Sequence, residues 1–202
     1  MLKINITSCN QNTKKCFLKP KTIVGNWKKI ICEKNIPICC YNNLNILMKN
    51  ICEVFNKHNF HYWLDWGSLL GLIRESKLIR YDNDLDFGIF IKDLNKLKKL
   101  KEEFANYGHK LNLDSNGFVR IFFSKKNFLH ADILLWKEIN YNYKIRNWIE
   151  KESEINKTPK RFFDILDIID YEGIKIKVPN NPKKYLEFRY GPKLDNTKFV
   201  IL

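Results

Sequence analysis

The chain has 202 residues, with 36 Lys+Arg against 22 Asp+Glu and so a formal net charge of +14. Its 45% hydrophobic and 14% aromatic content excludes a disordered chain, and its eight glycines exclude a collagen-like one. No apolar run approaches the ~18–20 residues that span a bilayer, and the length suits one compact domain, or a domain plus a small appendage.

The positive surplus suggests a nucleic-acid binder, because Lys and Arg release counterions from phosphates. The lysines are scattered, however, with only short clusters such as Lys96-Leu97-Lys98-Lys99-Leu100-Lys101. Asn, Lys and Ile recur throughout, as AT-rich coding produces. Met1–Thr7 lacks an apolar h-region, which predicts no signal peptide and a cytoplasmic location.

Residues 1–40 are polar and hold Cys9, Cys16, Cys32, Cys39 and Cys40; they are expected to form an N-terminal segment ahead of a domain over 41–202. From Tyr41 to His58, Leu44, Ile46, Leu47, Ile51, Val54 and Phe55 recur at helical spacing. His61–Asp65 reads as a buried strand, Gly67-Ser68 as a turn, and Leu69–Arg74 as a short helix beginning there. Leu85–Ile91 is a second strand. Asp93 is expected to cap a helix over Leu94–Asn106. Gly117–Phe123 and Phe128–Leu135 are later strands, and Tyr141–Lys160 is a charged excursion. Phe162–Val178 forms a hairpin around Glu172-Gly173, and Pro182 opens a last helix closed by Gly191-Pro192. The expectation is a mixed α and β fold with a mostly local sheet.

The carboxylates carry the strongest signal. Asp82-Asn83-Asp84-Leu85-Asp86 sets three of them at i, i+2 and i+4, which share one face of an extended strand. Charges this close repel one another, and hard oxygens at this density suit Mg²⁺ or Mn²⁺. An EF-hand is excluded, because the loop lacks the Gly and the Glu at its sixth and twelfth positions. Asp132 lies between Ala131 and Ile133 on a later strand, where a carboxylate is costly unless paired or ligating. Gly67-Ser68 at a helix start offers backbone N–H groups to phosphate. His130 lies two residues before Asp132 on the same strand face, within reach of the site; the default reading for it, as for His109, is an ordinary core or edge histidine.

The stretch Tyr62-Trp63-Leu64-Asp65-Trp66-Gly67-Ser68-Leu69-Leu70-Gly71-Leu72-Ile73-Arg74, followed by Leu78-Ile79-Arg80-Tyr81-Asp82-Asn83-Asp84-Leu85-Asp86-Phe87-Gly88, closely resembles the LicD/fukutin family. That family's pattern runs roughly W-L-x-G-G-[ST]-L-L-G-x-x-R, a basic spacer, then I-P-W-D-x-D-[ILV]-D. Val178-Pro179 through Tyr185-Leu186 and Tyr190-Gly191 is similar to its closing motif. Trp66 stands where the family has its first Gly, and Arg80-Tyr81 where it has Pro-Trp.

The resemblance implies an α/β fold with a nucleotidyltransferase-like mixed β-sheet flanked by helices. It also implies transfer of a phospho-alcohol, such as phosphocholine or ribitol phosphate, from a CDP-linked donor to a glycan or glycolipid hydroxyl, with release of CMP. In that reading Asp84 and Asp86, supported by Asp82, hold Mg²⁺ or Mn²⁺. Asp132 is the general base or a further ligand. Gly67 and Ser68 cradle phosphate, Arg74 and Arg80 pair with it, and Tyr81 or Trp66 stacks on the base. Two rivals stand beside it: a nucleotidyltransferase joining an NTP to a sugar phosphate or nucleic acid, and a basic nucleic-acid-binding module without catalysis.

Without a signal peptide, six cysteines read as reduced thiols or metal ligands rather than disulfides. Cys9, Cys16, Cys39 and Cys40 supply four thiolates for a tetrahedral Zn²⁺, and some eukaryotic fukutin-type enzymes look similar here. Cys32 is a substitute ligand. Cys52, inside the first expected helix, is core.

Overall fold

The computed structural model describes residues 9–14, 22–23, 30–31, 35–113, 119–145 and 157–192. Thr22–Ile23 (β1) and Ile30–Ile31 (β2) pair as a short antiparallel ribbon. Helix α1 (Ile38–Lys57) buries Cys40, Leu44, Leu47, Met48, Ile51, Cys52, Val54 and Phe55, a stripe with the three- and four-residue spacing of an amphipathic helix. It starts three residues before the periodicity expected from Tyr41. Pro37 occupies the N-cap position with φ −52°, and its carbonyl accepts from the Tyr41 amide at 3.0 Å. Cys39 and Cys40 therefore fall in the first turn of α1.

The chain continues through β3 (Tyr62–Leu64), α2 (Trp66–Glu75) and β4 (Leu85–Phe90), close to expectation. The helix expected over Leu94–Asn106 is two: α3 (Leu94–Lys99) and α4 (Lys101–Asn106), preceded by a 3-10 turn at Ile91–Asp93. The break falls at Leu100, whose amide closes on the Leu97 carbonyl at 3.0 Å, and Asp93 makes no side-chain cap bond.

Strands β5 (Lys110–Leu113), β6 (Val119–Phe122) and β7 (His130–Ile139) follow. Within the charged excursion, Asn142–Ile145 (β8) and Lys157–Pro159 (β9) are paired strands. Strands β10 (Leu166–Tyr171) and β11 (Ile174–Pro179) form the expected hairpin, turning on Glu172 (φ 51°) and Gly173 (φ 82°). Helix α5 (Pro182–Tyr190) starts where Asn181 Oδ1 accepts from the Lys184 amide, and Gly191 follows its last residue.

The main sheet runs β3-β4-β7-β6-β5, with β8 adding to the far half of β7 and β9 to β8. It is mixed, because β4 and β7 are parallel while the other pairs are antiparallel. That parallel pair is non-local, since α3, α4, β5 and β6 all intervene. The other pairs of this sheet join consecutive strands, so it is mostly local, as expected, with one non-local seam.

The two faces of the sheet differ. On one, Phe55 of α1 packs 4.8 Å from Tyr62 and edge-on to Phe87 and Phe104. On the other, Trp63 stacks on Phe163 at 4.3 Å, and Trp136 lies 4.8 Å from Phe163. Burying each such ring stabilises the fold by about 1.5–3 kcal/mol. Gly88 lets Trp63 cross β4, because a Cβ there would run into the indole. The second face also carries the carboxylates. Among the described residues, no helix is long and apolar enough to cross a membrane.

Candidate active site

Strand β4 begins at Leu85, so Asp82, Asn83 and Asp84 lie in its entrance and only Asp86 belongs to the ladder. Asp86 is in register with Asp132 on β7, which is in register with Arg120 on β6. Arg120 Nε donates to Asp132 Oδ1 at 2.6 Å. Asp84, His130 and Asp132 each offer a ligand atom within 4.8 Å of the others. Asp82 Oδ1 accepts from the Asn83 amide at 3.1 Å, and its other oxygen lies against Gly67, where a Cβ would collide with it. Burial, then the charges of Asp84, Asp82, Asp132 and Asp65, push the Asp86 carboxyl well above the ordinary carboxylate range. Oxygen donors gathered in this way suit a hard divalent cation such as Mg²⁺ or Mn²⁺.

Helix α2 points its N-terminus at this cluster. Asp65, fully buried, caps it by accepting from the Trp66 amide at 2.8 Å. Asp65 also accepts from Trp63 Nε1 at 3.3 Å and from the Tyr185 hydroxyl at 2.5 Å. Burial raises its proton affinity, and the charge of Arg189 is the largest opposing influence. Ser68 Oγ accepts from the Asp86 amide at 3.0 Å, which ties the helix start to β4. The Gly67 and Ser68 amides belong to the first turn, where no intrahelical acceptor exists. Trp66 adopts φ 44°, a left-handed conformation that glycine would take without strain. Arg189 lies 4.2 Å over its indole. Tyr190 lies edge-on to Trp66, its hydroxyl raised by burial and by the charges of Asp86 and Asp65.

Gly67, Ser68, Asp82, Asp84, Asp86 and Asp132 thus converge. Arg74 does not join them: it sits in the last turn of α2, about 9 Å along the axis from Ser68, and pairs with Glu75. Arg80 lies 4.4 Å over the Tyr41 ring, its carbonyl accepting from the Ile36 amide, while Tyr81 is half-buried against the core. Arg120, Asp65, Tyr185, Arg189 and Tyr190 are the site residues that sequence reasoning gave no role. Asp65 carried a signal, an Asp just ahead of a helix. Arg120 carried none, because only strand register brings it to Asp132.

At the N-terminal segment, Cys9 Sγ lies 3.3 Å from Cys39 Sγ and 3.6 Å from Cys40 Sγ. Tetrahedral zinc with Zn–S near 2.3 Å holds its sulfurs about 3.75 Å apart, so the three thiols fit such an ion. Asn43 Nδ2 donates to the Cys9 carbonyl at 2.9 Å. Cys16 and Cys32 lie outside the described residues. Cys52 is fully buried, and burial pushes its thiol up to about 12.

The mixed sheet, the helix N-terminus above its central strands and the facing aspartates define a nucleotidyltransferase-type domain. The family model for the "LicD/FKTN/FKRP, nucleotidyltransferase domain" matches residues 59–181, more than half of the chain. The chain belongs to that family. It is 28% identical over 195 residues to the human ribitol 5-phosphate transferase FKRP, covering 91% of this chain and 38% of that protein. It is 24% identical over 152 residues to the ribitol-5-phosphate transferase FKTN of Macaca fascicularis, covering 72% of this chain and 32% of that one. The chain therefore spans less than two fifths of the length of these relatives. Among solved structures, the lincosamide antibiotic adenylyltransferase LnuA superposes with a TM-score of 0.47 at 15% identity, covering 80% of this chain and 93% of that one.

Proposed function

We propose that this domain transfers a phospho-alcohol from a CDP-linked donor to a hydroxyl of a glycan or glycolipid. The observation that carries the reading is the register of Asp86 with Asp132 on parallel strands, beside Asp84 and beneath the N-terminus of α2. Asp84 and Asp132, with Asp86 opposite and Asp82 in support, would hold Mg²⁺ or Mn²⁺. Such an ion, when bound, neutralises charge on the donor pyrophosphate and on the leaving CMP.

The chain's own groups do the rest. The Gly67 and Ser68 amides orient phosphate oxygens at the positive end of α2. The acceptor oxygen attacks the phosphorus that bears the alcohol, and the bond from that phosphorus to the CMP oxygen breaks. The acceptor proton passes to a carboxylate. Asp86, in register with Asp132 and beside Asp84, is placed for that role. The names of the FKRP and FKTN relatives support ribitol phosphate as the group transferred. We propose in addition that Cys9, Cys39 and Cys40, with Cys16 as fourth ligand, bind a structural Zn²⁺.

Incubation with CDP-ribitol, CDP-choline, CTP or ATP under Mn²⁺ and a glycan acceptor tests the reading. Acceptor-dependent CMP release from a CDP-alcohol is expected. Pyrophosphate release from CTP or ATP would instead identify a nucleotidyltransferase. Neither product, with salt-sensitive binding to duplex nucleic acid, would leave only the binding module.

A further inference from the structure

We infer that His130 is a nitrogen ligand of the catalytic cation and that it biases the site towards Mn²⁺ over Mg²⁺. The inference rests on the metal-site reading above and goes beyond it in naming a ligand and an ion preference. His130 opens β7 two residues before Asp132, so both side chains share the carboxylate face of the sheet. Its Nδ1 lies 3.1 Å from the Phe128 carbonyl oxygen, which can only accept, so Nδ1 carries the proton and Nε2 is the atom presented to the site. Nε2 is 3.7 Å from Asp132 Oδ1, and both belong with an Asp84 oxygen to the group of atoms within 4.8 Å of one another. Ligand atoms around an octahedral ion at ~2.1 Å are about 3.0 Å apart when adjacent and about 4.2 Å when opposite. The 3.7 Å between His130 Nε2 and Asp132 Oδ1 lies between those two values.

A backbone carbonyl holding the far nitrogen is the usual way in which a protein aims a histidine at a metal. The Phe122 ring, with its centroid 5.7 Å from that of the imidazole, restricts the ring further. Imidazole suits first-row transition ions, whereas Mg²⁺ takes oxygen. A donor set of two carboxylates and one imidazole therefore discriminates between the two ions.

The test is titration of the metal-free protein with Mn²⁺ and with Mg²⁺, followed by electron spin echo spectroscopy of the Mn²⁺ complex. The unaltered protein should bind Mn²⁺ about tenfold or more tightly than Mg²⁺ and show the coupling of a directly bound ¹⁴N nucleus. His130→Gln should lose the coupling and weaken Mn²⁺ about tenfold while leaving Mg²⁺ within about twofold. Asp84→Asn should weaken both ions. Absence of nitrogen coupling in the unaltered protein, or undiminished Mn²⁺ affinity in His130→Gln, overturns the ligand role; if Asp84→Asn still loses both ions, the carboxylate site stands. Failure of the unaltered protein to bind either ion overturns both.

Discussion

Asp86 carries the largest electrostatic burden in the site, being surrounded by Asp84, Asp82, Asp132 and Asp65. Its raised proton affinity has a definite sign for stability. Above the ordinary carboxylate range the folded chain holds a proton that the unfolded chain has released, so stability falls as pH rises through that window. The metal-free protein should therefore melt at progressively lower temperature as pH rises above the ordinary carboxylate range, and Mn²⁺ should reverse the trend. Asp86→Asn should flatten the slope and stabilise the metal-free fold by about 1 kcal/mol, while abolishing transfer. An unchanged pH slope in that variant would refute the assignment. Trp66 presents the opposite balance. Its left-handed backbone costs about 1–2 kcal/mol, but its half-buried ring packs under Arg189 and edge-on to Tyr190. Packing should win, so Trp66→Gly is expected to lower stability by about 1–3 kcal/mol in a denaturant titration.

The elements that build the site are joined by buried polar contacts. Asp65 links β3, α2 and α5 through Trp63, the Trp66 amide and the Tyr185 hydroxyl. Tyr185→Phe leaves that carboxylate one donor short. It should cost about 1–3 kcal/mol and loosen the helix start, so Mn²⁺ affinity should fall with stability. Gly88→Ala drives a methyl group into the Trp63 indole and should cost about 1–3 kcal/mol of overpacking, read as a lower urea midpoint at unchanged slope. Much at this scale was readable in advance. The apolar stripe of α1, the hairpin turn at Glu172-Gly173 and the Pro182–Gly191 bounds of α5 all follow from local rules. The missed elements have local reasons too. In β5 only Leu111 is buried, too little alternation to mark a strand, and Pro37 moved the start of α1 by backbone geometry rather than by hydrophobic pattern.

At the scale of the molecule, the Cys9–Lys14 segment is bound to the α4–β7 part of the fold. Gln11 Nε2 donates to the Tyr107 carbonyl at 2.6 Å, Ser124 Oγ donates to the Gln11 carbonyl at 2.6 Å, and Asn127 Nδ2 donates to the Asn10 carbonyl at 3.1 Å. If zinc also ties Cys9 to α1, chelation should lower the melting temperature of the whole domain in a single transition. Cys9→Ser should remove stoichiometric zinc with the same loss, whereas Cys52→Ser should keep the zinc. Zinc-free protein with an unchanged melting curve under chelator would refute the site. A CDP-alcohol donor at about 100 times its Kd should stabilise the Mn²⁺ form by about 2.7 kcal/mol through mass action.

What the amino-acid sequence determined by itself was whatever lies within a few consecutive residues: Asp82, Asp84 and Asp86 in one run, Gly67-Ser68 opening a helix, the core stripe of α1, and the family to which those runs belong. Tertiary structure alone decided which distant groups face them. The parallel register of β4 with β7 sets Asp132 opposite Asp86, and the β6 pairing delivers Arg120 to Asp132. The turn before β7 sets His130 Nδ1 3.1 Å from the Phe128 carbonyl oxygen. Local periodicity specifies which face of an element is buried, but the partner across a sheet depends on register between strands far apart in the chain, and nothing in a run of neighbouring residues encodes that register.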